Sequence, residues 1–277
     1  MFERMFFRSL LMQAGWNYER FQNLGFAFCL QPALEKIYPD PEKRKAALLR
    51  HLALVNTQPY MASFVAGNVA AMEERAAAAP DPEAALKSMP GVKQALATSF
   101  ASIGDRIFWG RLKPMTVQLC VLAWSAGGFF GWLFTGLEAP APAALLFAGP
   151  LAGIILYSAV ALYWRWRGLK VGFSCGGASS CGLDCADWQT LIRRLSAAGF
   201  AMSLAISALA FWLLWRAARG AAPAAFALKF AVPLAAMGLH RLCRAFGRSV
   251  FFAAGIVLAF SLLLFSALNF SPFSLYL

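Results

Sequence analysis

The sequence is short of charge, of histidine and of the compact patterns that carry chemistry. Only 14% of its 277 residues are Asp, Glu, Lys or Arg, against roughly 25% in soluble domains. That shortfall argues against a protein whose whole surface meets water. His51 and His240 are the only histidines. A phosphohistidine relay needs an exposed, positioned imidazole. His51 adjoins the apolar "LALV" and His240 stands beside Arg241, so both read as packed or interfacial residues. There is no Gly-rich phosphate loop, no HExxH and no carboxylate pair at catalytic spacing. These absences leave no catalytic residue, no metal ligand set and no cofactor to assign. A cleavable leader is not expected, because Arg8, Gln13, Asn17, Glu19 and Arg20 interrupt the start of the chain.

What the chain has in quantity is apolar length. It is 60% hydrophobic, with a mean hydropathy of +0.59. Five long apolar runs cover 115–137, 141–163, 197–215, 221–239 and 250–268, the fourth interrupted by Lys229 and Pro233. Each has about the 20 residues that cross a bilayer core as a helix. The sequence therefore predicts an all-α, polytopic membrane protein of about five spans (115–277), preceded by a helical cytoplasmic or interfacial region (1–114).

The net charge of +12 would suit nucleic acid, but the basic residues have a simpler cause. Fourteen lie in 1–114, five in the connection 164–196 and three in 240–249. The connection 138–140 and the tail after 268 hold none, and 216–220 holds two. Basic residues collect on the cytoplasmic side. Five spans with a cytoplasmic N-terminus place the rich segments inside, and nucleic acid is excluded as a partner.

The first 114 residues read as helices broken by proline. Residues 42–55 form an amphipathic helix started by Pro41, and Pro59 separates it from a second helix. A Pro-punctuated linker at 76–91 carries one short helical piece. Ahead of these lies "GWNYERFQNLGFAF" (15–28), which interleaves aromatics with Asn17, Glu19, Arg20, Gln22 and Asn23. Trp16 and Tyr18 suit the headgroup region. The segment reads as an interfacial anchor or as a packed surface between subunits.

Three further motifs follow: "RHLALVNTQPYMA" (50–62), "AMEE" (71–74) and "GDRIFWGRLKP" (104–114). Together the four closely resemble the IID membrane subunit (EIID) of mannose/fructose/sorbose-type phosphotransferase-system permeases. The apolar remainder fits that family by layout and by "GLKVGFS" (168–174). The resemblance implies a non-catalytic subunit of a sugar-uptake complex in the bacterial cytoplasmic (inner) membrane. Such a subunit pairs with an EIIC subunit, the pairs assemble into trimers, and cytoplasmic EIIA and EIIB carry the phosphoryl group to the sugar. On this reading Trp16, Asn17, Tyr18, Glu19, Arg20, Gln22, Asn23, Arg106 and Arg111 are partner-interface candidates. Asp105 and Trp109 offer a carboxylate and a ring face to a sugar, or else form a turn into the membrane with Asp105 as a helix cap. Asn56 and Gln58 face sugar or partner, or satisfy the backbone where the helix breaks.

Two departures from the family pattern bear on function. Thr98, Ser99 and Ser102 stand where Gly, Pro and Gly are usual, Arg106 replaces a Pro and Arg111 a Thr. Two cations beside a neutral-sugar site would suit an anionic group, an acidic partner surface, or a scaffold subunit without transport. At least one is expected to pair with a carboxylate, from Asp105 or from the EIIC partner. The second departure is "SCGGASSCGLDC" (174–185), whose three thiols lack the usual C-x2-C pairing of metal sites. It reads as a flexible loop, with a thiol- or metal-binding membrane protein as the rival.

Overall fold

The computed structural model describes residues 1–135, 143–176, 182–218 and 223–268. Its elements are helical: α1 (Phe2–Ser9), α2 (Asn23–Ile37), α3 (Pro41–Arg50), α4 (Ala62–Ala78), α5 (Pro82–Leu86) and α6 (Met89–Gly104). A π-helical stretch, Asp105–Leu112, then joins α6 to α7 (Lys113–Thr135). α8 (Ala143–Cys175), α9 (Trp188–Ala218), α10 (Pro223–Ala245) and α11 (Val250–Leu268) complete the chain. Among the described residues there is no β-strand, only isolated bridges joining Asn17 to Phe21 and Phe21 to Val55.

The short helices start where side chains make them start. Asp40 accepts from the N–H groups of Glu42 and Lys43 at the head of α3, with Pro41 in the first turn. Asp81 does the same for Ala84 in α5, again followed by proline. Each carboxylate satisfies donors that the helix itself leaves free, and proline there sacrifices no hydrogen bond. α3 is shorter than the 42–55 helix expected from its amphipathic pattern. It ends at Arg50, and the chain beyond it turns back to meet the segment around Phe21.

Two compact units divide the chain, Met1–Ser203 and Leu204–Leu277. In the first, α4 is the central element: from Ala62 to Ala71 every residue is buried. Its small side chains let α8 approach backbone to backbone. A Cβ on Gly67 would stand 2.5 Å from the carbonyl oxygen of Leu169, and one on Gly172 would collide with that of Phe64. Aromatic rings close the layer, with Phe64 stacked on Phe100 at 4.5 Å and Trp164 against Trp188 at 4.8 Å. α1 lies over the far end of α8 through Phe2–Phe173 and Phe6–Trp166 edge contacts. The core built by residues 1–114 thus runs on into Trp164, Leu169, Trp188 and Ile192.

The expected connection at 164–196 is therefore largely helical. α8 continues past 163 to Cys175, and α9 already begins at Trp188. The charges that mark the end of the apolar run are accommodated by packing. Arg165 is buried, donates to the Ser9 carbonyl and lies over the Tyr60 ring. Lys170 covers Trp166, and Arg167 reaches the Tyr163 hydroxyl.

Two stretches among the described residues are long and apolar enough to cross a membrane, Phe147–Cys175 and Trp188–Leu213. Within the second unit, α10 and α11 are joined by a tight turn in which Arg248 N–H donates to the Cys243 carbonyl at 2.8 Å. The side chain of Lys229, the loop at 138–140 and Cys181 lie outside the described residues.

Candidate functional site

The four sequence motifs meet in one place, and their polar residues do the joining. Gln22 and the backbone of Thr57 exchange two hydrogen bonds, Nε2 to the carbonyl at 2.7 Å and Thr57 N–H to Oε1 at 3.1 Å. Asn23 Nδ2 donates to the Leu52 carbonyl at 2.9 Å. Asn17 bridges to Asn23 Oδ1 at 2.8 Å and accepts from Arg20 N–H. Gln22 and Asn23 were expected at a partner surface, but they are buried and tie 15–28 to 50–62. The physical reason is that both segments are irregular backbone, whose buried N–H and C=O groups need partners. Phe21 sits at φ 56, a left-handed conformation that a bulky residue adopts at a cost and that the surrounding bonds impose.

Outside this joint the stretch shows aromatics to solvent. Tyr18 is 89% exposed and Trp16 41%, their rings edge to face at 4.7 Å. Glu19 and Arg20 form a surface ion pair at 3.4 Å.

The third motif contributes Glu73, a fully buried carboxylate. It accepts from Arg50 through two nitrogens at 2.7 and 3.1 Å, from the Tyr38 hydroxyl at 2.7 Å, and lies 2.7 Å from His51 Nε2. Burial alone would raise its pKa; the bonds from His51 and Arg50 outweigh it and hold the carboxyl at about 2. Burial also pushes the His51 pKa down against the pull of Glu73. A neutral His51 must then carry its proton on Nε2, pointing at the carboxylate. His51 is thus a packed structural residue.

The fourth motif forms the π-helical stretch. No turn separates it from α6 or α7, and Asp105 continues the helix rather than capping one. A helix with i→i+5 bonds is wider than an α-helix and is common at functional positions. Gln58 packs directly on Gly104, where an added Cβ would come within 2.6 Å of it. The Gln58 Oε1 accepts from Tyr60 N–H at 2.7 Å, while its Nε2 is buried with no partner. Tyr60 then gathers Phe108 at 4.7 Å, Tyr157 at 5.5 Å and Trp109 at 6.3 Å. Tyr60, Trp109 and Tyr157 border a cavity of about 560 Å³ between α7 and α8, also lined by Lys113, Thr116 and Gly153. Lys113 lies over Trp109 at 4.9 Å.

Of the sugar-site candidates, Gln58 and Trp109 come together around Tyr60. Asn56 and Asp105 are exposed, and partial burial still raises the Asp105 carboxyl. Arg111 does not pair with Asp105. It donates to the Arg106 carbonyl and to Ser196 Oγ, each at 2.7 Å. In the π-helix residue 111 stands one turn above residue 106, so the guanidinium folds onto that carbonyl. Arg106 is exposed.

In the cysteine segment, Cys175 ends α8 and Cys185 lies in the turn before α9. Burial raises the Cys185 thiol, away from the thiolate that a metal needs. Among the described residues no group of three Cys, His, Asp or Glu is placed to hold a metal ion.

Residues 1–147 match the family model described as "PTS system mannose/fructose/sorbose family IID component". The mannose-specific EIID component of Escherichia coli K12 is 37% identical over 174 residues, which are 62% of this chain and 54% of that protein. The sorbose-specific EIID component of Klebsiella pneumoniae is 35% identical over 173 residues, 62% of this chain and 56% of its own length. A solved structure described as "Structure of membrane protein" superposes with a TM-score of 0.55 at 32% identity, covering 74% of this chain and 68% of that one. The chain spans about half the length of the curated relatives it matches. The family match covers all four motifs and the fold they build together, and the chain belongs to the mannose/fructose/sorbose family of phosphotransferase-system IID components.

Proposed function

We propose that this chain is the EIID subunit of a mannose-family permease and forms, with an EIIC partner, the unit that carries sugar across the inner membrane. EIIA and EIIB phosphorylate the sugar on delivery, EIIC–EIID pairs assemble as trimers, and this chain takes no covalent part. The observation that carries the reading is the family match over 1–147, which embraces the four motifs at 15–28, 50–62, 71–74 and 104–114. The neutral, hydrogen-bonded state of His51 supports a non-catalytic role, because an imidazole sealed against Glu73 is not free to accept a phosphoryl group.

Five spans with the N-terminus in the cytoplasm remain the topology that the basic residues favour. The membrane-capable helices Phe147–Cys175 and Trp188–Leu213 supply two of them, and α7, α10 and α11 the others. Asp105, Asn56, Gln58 and Trp109 are the residues assigned to the sugar path, and Trp16, Tyr18, Arg106 and Arg111 those assigned to EIIC. Co-expression with EIIA, EIIB and EIIC in cells lacking their own mannose-type permease tests the function. Uptake and phosphorylation of a hexose that need this chain are expected. Uptake that is the same without it would overturn the proposal. A reporter fused after Leu277 should report from outside the cytoplasm; cytoplasmic activity would exclude five spans.

A further inference from the structure

A second cavity, of about 270 Å³, opens where the end of α3 meets the first turn of α6. Arg50, His51, Leu86, Met89, Lys93 and Gln94 line it. Lys93 is only 6% exposed, and an ammonium offers three donors. Its one hydrogen bond among the described residues is a long one, 3.5 Å to the His51 carbonyl, and its Nζ lies over the Phe26 ring at 4.6 Å. Among the described residues it forms no ion pair. The carboxylate of this region, Glu73, is already spent on Arg50, His51 and Tyr38. The charged groups around the cavity therefore leave one positive charge in excess.

A buried, uncompensated cation is expensive to keep. Burial holds the Lys93 ammonium down to about 8, so keeping it charged at neutral pH works against folding. The first turn of α6 adds a second attraction for negative charge. Its N-cap Ser88 makes no side-chain hydrogen bond to it, and the N-terminal end of a helix favours anions. We propose that this cavity binds the phosphate group of a small phosphorylated metabolite, with Lys93 as its central ligand and Arg50 and the α6 first turn beside it. A phosphate's several oxygens suit the Lys93 ammonium and the Arg50 Nη1 that Glu73 leaves free, with the α6 terminus adding its dipole though Pro90 offers no N–H. The volume admits such a small anion and little more. This site is distinct from the cavity between α7 and α8 and does not depend on which sugar is carried.

The probe is inorganic phosphate added to the detergent-solubilised full chain, against chloride of equal ionic strength and against acetate. Phosphate is expected to bind in the millimolar range or tighter and to raise the unfolding temperature. Lys93→Met fills the same space without charge and should weaken phosphate binding by about tenfold or more. Lys87→Met, at an exposed neighbour, should leave it unchanged. Equal losses in both variants, equal effects of acetate, or no phosphate effect would overturn the proposal. Should Lys93→Met not fold, amine labelling of the wild type decides. Phosphate should slow modification of Lys93 relative to Lys87, and unchanged labelling would overturn the site.

Discussion

His51 Nε2 and Glu73 Oε1 lie 2.7 Å apart in a fully enclosed position, joining the second family motif to the third. The pair is the inner half of a four-residue network whose outer members, Arg50 and Tyr38, bring α3 and the end of α2 to α4. One carboxylate therefore holds three helices. Removing one partner of a buried charge network leaves the others unpaired and costs about 3–5 kcal/mol. Glu73→Ala is accordingly expected to lower the stability of the first unit by that order, and Glu73→Gln by less, since the amide oxygen still accepts. Denaturant unfolding of the solubilised chain checks the order of the two variants; equal stability of wild type and Glu73→Ala would show that the network contributes nothing.

The same network sets an acid limit. Glu73 is held at about 2, below its ordinary value of 4.5, so the unfolded chain takes up this proton first as pH falls. Its contribution is fully present above pH 4.5 and is lost on the way down to pH 2. A shift of that size corresponds to about 3 kcal/mol. His51, whose pKa is lowered by burial, acts in the same direction from its ordinary 6.5 downward, because the unfolded chain again binds the proton more readily. Stability measured from pH 7 to pH 3 should fall in two steps, and Glu73→Gln should abolish the lower one.

Packing of α4 on α8 makes a sharper claim about single atoms. A Cβ on Gly172 meets the Phe64 carbonyl, whereas one on Gly91 meets nothing within 4 Å. Gly172→Ala must force two helices apart and is expected to destabilise by about 1–3 kcal/mol or more. Gly91→Ala should stabilise α6 by up to about 1 kcal/mol, as alanine is the better helix former. Thermal unfolding of the two variants in the same detergent tests the pair, and a neutral Gly172→Ala would contradict the close approach.

The places where the sequence was legible share a physical feature: their signals are local. Pro41 marked the start of α3, and long apolar runs marked α7 to α11. The motifs identified the family before any fold was drawn. What could not be read was set by distant partners. Arg165 looks like the end of a span, yet Ser9 and Tyr60, far back in the chain, make it a buried part of α8. Glu73 gave no hint that Tyr38, Arg50 and His51 converge on it. The π-helical stretch has no period of its own, and the motif that contains it also read as a turn into the membrane. In the candidate site, Gln58 and Trp109 were legible as a pair of functional types, while Tyr60, the residue that brings them together, was not singled out.

Neighbouring residues of the first motif should separate folding from partner binding. Gln22 is 2% exposed and closes two bonds with Thr57, whereas Tyr18 is 89% exposed and packs only against Trp16. Gln22→Ala orphans a buried N–H and a buried carbonyl, which costs about 1–3 kcal/mol. Tyr18→Ala removes exposed surface alone and should change stability by no more than about 0.5 kcal/mol. Aromatic side chains at the centre of an interface carry much of its binding energy. If the exposed Trp16–Tyr18 pair faces EIIC, Tyr18→Ala and Trp16→Ala should leave the chain folded while reducing the EIIC that co-purifies with it by about tenfold or more. Asn17→Ala should show both effects, since its side chain braces the loop from within through Asn23. Two measurements on each variant, unfolding midpoint and recovered EIIC, are needed. Full recovery of EIIC in a folded Trp16→Ala, Tyr18→Ala double variant would place the partner surface elsewhere and leave these rings to the lipid interface.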